Sequence, residues 1–71
     1  MFGEFGGRVR ACRVERGLSQ ERLGFQAGLH PTYISGVERG VRNVSLKNIV
    51  AIAAALRVDP ADLVRKLKPD R

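Results

Sequence analysis

Apolar residues fall at helical spacing in five short runs, and glycine or proline separates one run from the next. In the first, from about Phe5 to Arg16, Phe5, Val9 and Cys12 share a stripe, and Gly17 stands where a helix ends on glycine. Ser19 is a suitable N-cap for the second, which turns Leu23 and Ala27 inward and ends at Gly28. The third opens on a His30–Pro31 pair. Proline suits a first helical position, and the residue before it is pushed to extended geometry, so His30 becomes the cap. Ile34 and Val37 face inward, three apart, and Gly40 ends the run. Pro31, Thr32, Ser35 and Gly36 are left pointing outward, with Tyr33 at the edge.

The fourth run starts after Ser45 and carries the fullest stripe, Leu46, Ile49, Val50, Ala53 and Leu56. The fifth starts at Asp59 and Pro60 and continues through Leu63, Val64 and Leu67, until residues 68–71 (KPDR) break it. Strand signals are absent. The expectation is an all-α fold, a five-helix bundle forming one domain over residues 1–71.

Helices two and three are separated by a few residues containing Gly28, which is helix-turn-helix spacing. Two short helices that cross steeply need a small residue where they touch, and Gly24 supplies one. A glycine inside a helix costs about 1 kcal/mol relative to alanine, so close approach of another helix is the reading that compensates.

Composition narrows the function. Thirteen Lys and Arg against seven Asp and Glu give a formal charge of +6. That favours a polyanionic partner, nucleic acid above a membrane surface. One cysteine cannot close an internal disulfide, and with one histidine it cannot build a metal site. Cys12 is read as a small buried hydrophobe. There is no apolar run long enough to span a bilayer and no secretory h-region, so the expected compartment is the cytoplasm. No phosphate-cradling glycine motif, nucleophile–base pair or metal cluster is present. Neither an enzyme nor a cofactor is expected.

The stretch RGLSQERLGFQAGLHPTYISGVERG, with NVSLKNIVAIAAAL behind it, resembles the Xre/Cro-like DNA-binding domains of phage repressors and bacterial regulators. The resemblance runs from about Gly7 to Leu67. TYISGVERGVRN is similar, more narrowly, to the short controller proteins of restriction–modification systems. The likeness implies a transcriptional regulator that binds a duplex operator as a homodimer, with RNA polymerase as a possible further partner. A phage-type repressor or Cro-like regulator fits the same pattern. A DNA-binding antitoxin with a toxin partner is disfavoured, because the bundle leaves almost no chain to wrap one.

In such a domain the third helix lies in the major groove with its N-terminal residues at base edges. Thr32 is then the first candidate for base contact, by hydroxyl or by methyl. Tyr33 offers a hydroxyl to phosphate or base, or packs on the second helix instead. Ser35 and Gly36 lie one turn on, where Gly36 permits close approach. Pro31 departs from the controller pattern, which often has an arginine there; proline cannot read guanine, and specificity shifts toward DNA shape. Gln20, Arg39, Arg42, Asn43, Ser45 and Lys47 are candidates for the phosphate backbone, each with a solvated surface as the alternative. The resemblance to phage repressors also implies an ion pair between Arg13 and Glu38. Val58, Leu63, Val64 and Leu67 are candidates for the dimer interface, or else they close the core of the monomer.

Overall fold

A computed structural model describes residues 1–69. Five helices follow one another: α1 Phe2–Glu15, α2 Gln20–Ala27, α3 Pro31–Glu38, α4 Leu46–Leu56 and α5 Pro60–Val64. No strand occurs among the described residues.

Helix starts follow local chemistry. The Ser19 hydroxyl accepts from the Arg22 amide at 2.9 Å, and Ser45 accepts from Asn48 at 3.1 Å. Before the two prolines, His30 Nδ1 accepts from the Thr32 amide at 3.0 Å and Asp59 Oδ1 from Ala61 at 2.8 Å. Each cap satisfies a first-turn amide that the helix leaves unpaired. To accept, the His30 ring must carry no proton on Nδ1.

The ends of α1 to α4 share one device. After α3, the Gly40 amide donates to the Val37 carbonyl and the Val41 amide to the Gly36 carbonyl, both at 3.0 Å, with Gly40 at φ +75°. This is a Schellman ending, and it turns the chain back along the helix it has just left. The same pattern closes α4, but there Arg57 takes the left-handed position at φ +60°. A side chain there costs about 1–2 kcal/mol that glycine would not.

The core is Phe5 and Val9 of α1, Leu23 of α2, Ile34 and Val37 of α3, Ile52, Ala53 and Leu56 of α4, and Leu63 of α5. α3 is held from two sides, by α1 and by α2. Two glycines set those approaches. A methyl group on Gly24 would stand 2.5 Å from the Leu29 carbonyl and 3.3 Å from the Pro31 nitrogen. What crosses Gly24 is thus the backbone of the turn into α3, rather than the face of another helix. A methyl group on Gly6 would run into the Val37 carbonyl and lie 2.8 Å from that of Glu38. Nothing in the local pattern marks Gly6 as special except its place seven residues before Arg13, on the same face of α1.

Several expectations need correction. α1 begins at Phe2, about a turn early, where the close approach of Gly6 to the end of α3 and of Gly3 to Gly40 offsets the poor helix propensity of glycine. α4 buries Ile52 and leaves Leu46 and Val50 on the surface, 75% and 48% exposed. Its sequence is apolar nearly all round, so periodicity alone could not choose the inner face. α5 stops at Val64, because Arg65 is extended and Lys66 left-handed, so Leu67 lies beyond the helix. Cys12 is only partly buried, against the core. Asp70 and Arg71, in the segment expected to break the last helix, lie outside the described residues.

Candidate nucleic-acid interface

α3 presents two different surfaces. Ile34 and Val37 are lost to the core, while Thr32 is exposed one residue beyond Pro31, and Ser35 is half-buried one turn on. The N-terminus of α3 therefore leaves a short polar edge outside. Arg39, Arg42, Asn43, Ser45 and Lys47 are all exposed along the segment that follows. Thr32 and Gly36 lie one helical turn apart on the same face.

The inner end of α3 is tied down electrostatically. Arg13 Nε donates to Glu38 Oε2 at 2.6 Å and Nη2 donates to Oε1 at 3.1 Å, a two-pronged pair. The remaining Arg13 nitrogen, Nη1, donates to the Leu18 carbonyl at 2.8 Å. The side chains are 13% and 3% exposed. The hydrogen bond to Glu38 raises the Arg13 pKa, burial pulls it back, and the Glu38 charge adds to the rise. One interaction thus joins α1, the turn after it and the end of α3.

Gln20 was expected to reach a phosphate, yet its amide donates to Glu38 Oε1 at 3.1 Å. That makes it the third member of the buried cluster, because the carboxylate has an acceptor lone pair to spare and the start of α2 lies beside it. Its backbone remains at the N-terminus of α2.

Tyr33 also differs from expectation. Its hydroxyl donates to the Asn43 carbonyl at 3.2 Å and accepts from Asn48 Nδ2 at 3.1 Å. The single phenolic proton is committed inside the protein, so the hydroxyl has none left for a phosphate. The hydroxyl thus points to the start of α4 and the loop before it. Asn48 therefore helps to hold Tyr33, although the sequence marks it only as the third residue of a capped helix.

Gly36 is buried instead of facing outward. Its cover is the Arg42 side chain: a methyl group at Gly36 would stand 2.6 Å from Arg42 Cγ and 3.2 Å from Nε. The Arg42 guanidinium carbon lies 5.9 Å from the centre of the Tyr33 ring. Stacks of this kind contribute about 0.5–1 kcal/mol at exposed positions. Arg39 only grazes its own helix, with Nε 3.4 Å from the Ser35 carbonyl.

The four residues expected at a dimer interface divide. Leu63 is wholly buried in the core and has no surface to offer. Val64 is 36% exposed, while Val58 and Leu67 are half-buried against the core. Val64 and Leu67 line an apolar cavity of about 320 Å³ with Met1, Phe2, Phe5, Val44 and Ile49. Among the described residues no helix is long and apolar enough to cross a membrane, and no His/Cys/Asp/Glu group converges on a metal position.

A family model described as "Helix-turn-helix" matches residues 9–63. The chain is 54% identical over 61 residues to the control protein C.BamHI of Bacillus amyloliquefaciens, covering 84% of this chain and 75% of that protein. It is 43% identical over 58 residues to the control protein C.SmaI of Serratia marcescens, covering 82% and 69%. The crystal structure of the restriction–modification controller protein C.AhdI from Aeromonas hydrophila superposes with a TM-score of 0.86 at 52% identity, over 87% of this chain and 94% of that one. The chain belongs to the helix-turn-helix family of DNA-binding transcription regulators.

Proposed function

We propose that this chain is a controller of a restriction–modification system, binding a two-fold operator as a homodimer and acting in the cytoplasm. It is a regulator and not an enzyme. The observation that carries this reading is the two-sided α3: Ile34 and Val37 anchor it, and Thr32, Ser35 and the Arg42 guanidinium stand on its outer side. Thr32 meets a base edge through hydroxyl or methyl. Pro31 contributes no hydrogen bond, which moves discrimination toward groove shape. Arg39, Arg42, Asn43, Ser45 and Lys47 follow the phosphate backbone, as does the N-terminal backbone of α2. Val58, Val64 and Leu67 supply the apolar contact between protomers, supported by the surface position of Val64 and the apolar cavity beside it. One module of this size makes few phosphate contacts, and pairing doubles them. A surface left open on the DNA-bound dimer would meet RNA polymerase.

The test is binding to the DNA upstream of its own gene across a salt series. With about three cationic contacts from each protomer, the log–log slope should be near −5. Affinity that ignores salt would contradict a phosphate-based interface, and a species that stays monomeric at high concentration would remove the dimer. A neighbouring methyltransferase and endonuclease gene pair would support the controller reading over a phage-type repressor.

A further inference from the structure

We infer that Gly36 is a seat for Arg42: it holds this loop arginine against α3 in the free protein, so that the arginine meets DNA as part of the recognition helix and not as a mobile loop charge. The inference rests on the reading of α3 as the DNA-facing helix.

Three features build the seat. The first is the notch. Glycine is a poor helix former, yet it occupies the last turn of α3, where it is buried. The atoms nearest to a methyl group there all belong to Arg42: Cγ at 2.6 Å, Nε at 3.2 Å and Cδ at 3.5 Å. Any side chain at residue 36 would displace the stem of the arginine.

The second is the wall. Tyr33 places its ring 5.9 Å from the guanidinium carbon, and the ring is itself fixed by hydrogen bonds to Asn43 and Asn48. The third is the backbone. The Val41 amide returns to the Gly36 carbonyl at 3.0 Å, so the loop carrying Arg42 folds back over the residue that receives it. No carboxylate pairs with Arg42 among the described residues, which keeps its donors available for an outside acceptor. A side chain already ordered in its bound position loses less freedom on binding. Gly36 is thus a positioning residue, acting on DNA through Arg42.

The experiment compares the wild-type protein with Gly36→Ala, Arg42→Ala and the double variant. Nitrogen relaxation of Arg42 Nε is measured without DNA, and affinity is measured on the upstream duplex. The expected result is an ordered Nε in the wild type that loosens in Gly36→Ala. Operator binding should weaken roughly tenfold in either single variant, the scale of one lost polar contact. The double variant should bind no worse than Arg42→Ala alone. Losses that add in the double variant would mean that Gly36 meets DNA directly, and would overturn the seat. So would an unchanged Nε in Gly36→Ala. Should that variant not fold, Tyr33→Leu removes the wall and must loosen the same nitrogen. A wild-type protein that binds no duplex would overturn the DNA-facing reading, and the relaxation measurement would still decide the seat.

Discussion

Arg13 and Arg42 both meet α3, one from beneath its inner end and one across its outer face. The first is buried, with three of its nitrogens on protein acceptors, two on Glu38 and one on the Leu18 carbonyl. The second is exposed, lies over a glycine and an aromatic ring, and makes no ion pair among the described residues. The same side chain therefore fixes the helix at one site and is left without a carboxylate among the described residues at the other. Desolvation decides between the two. A buried guanidinium must be neutralised from within, and every donor used inside is lost to an outside partner. A net charge of +6 says that the chain favours anions, but it does not say which arginines are free to meet them.

The largest effect should come from Glu38→Ala. It leaves Arg13 buried without its carboxylate and removes the acceptor of Gln20, at a cost of about 3–5 kcal/mol by thermal or urea denaturation. For a small domain that is much of the stability available, which is typically about 5–15 kcal/mol. Normal stability with a selective loss of DNA affinity would move Glu38 to the outer side and break the contrast. Because the folded-state pKa of Arg13 is raised, its contribution is complete below the ordinary arginine range and is lost only as pH rises through the higher folded value. Stability measured from about pH 7 to 10 should then show no step from this residue.

Arg42→Ala should behave in the opposite way. Operator binding should weaken by about 1–2 kcal/mol and the salt slope should become shallower by about one. Thermal stability should stay within about 0.5 kcal/mol of the wild type, as for surface changes away from core features. Should it fall by several kcal/mol instead, the outer arginine would be structural too.

Tyr33→Phe sits between the two regions. It removes the hydroxyl shared by Asn43 and Asn48, and should cost about 1 kcal/mol of stability in urea, with the ring still beneath Arg42. The smallest effect lies away from α3. Arg57→Gly relieves a left-handed side chain but loosens the unfolded chain, for a net gain of about 0.5–1 kcal/mol. Its operator affinity should not change, which would show that stability and binding vary separately.

Much of this fold was legible because its punctuation is local. Ser19, His30, Ser45 and Asp59 cap the helices they precede, and Gly17, Gly28 and Gly40 sit at left-handed helix ends. The inward pair Ile34 and Val37 follows from spacing alone. The inner face of α4 was not legible, because Ile52 and Val50 are equally apolar and only the position of α4 against its neighbours buries one and exposes the other. The outward position of Thr32 and of Arg39, Arg42 and Asn43 was legible as well. The roles of Gln20, Tyr33 and Gly36 were not. Gln20 and Tyr33 spend donors inside the protein, and Gly36, expected to face outward, is covered by Arg42.

The sequence by itself determined the order of the helices, the caps of α2 to α5 and the helix-turn-helix spacing, because each depends on residues within about one or two turns of one another, and the basic charge, which is a sum over the chain. Only the tertiary structure decided which polar groups are spent and which remain available. Arg13 finds Glu38 across 25 residues, and Asn48 finds Tyr33 across 15. A hydrogen bond between distant residues is fixed by how the helices pack, and the donors left over after packing are what the protein can offer to DNA.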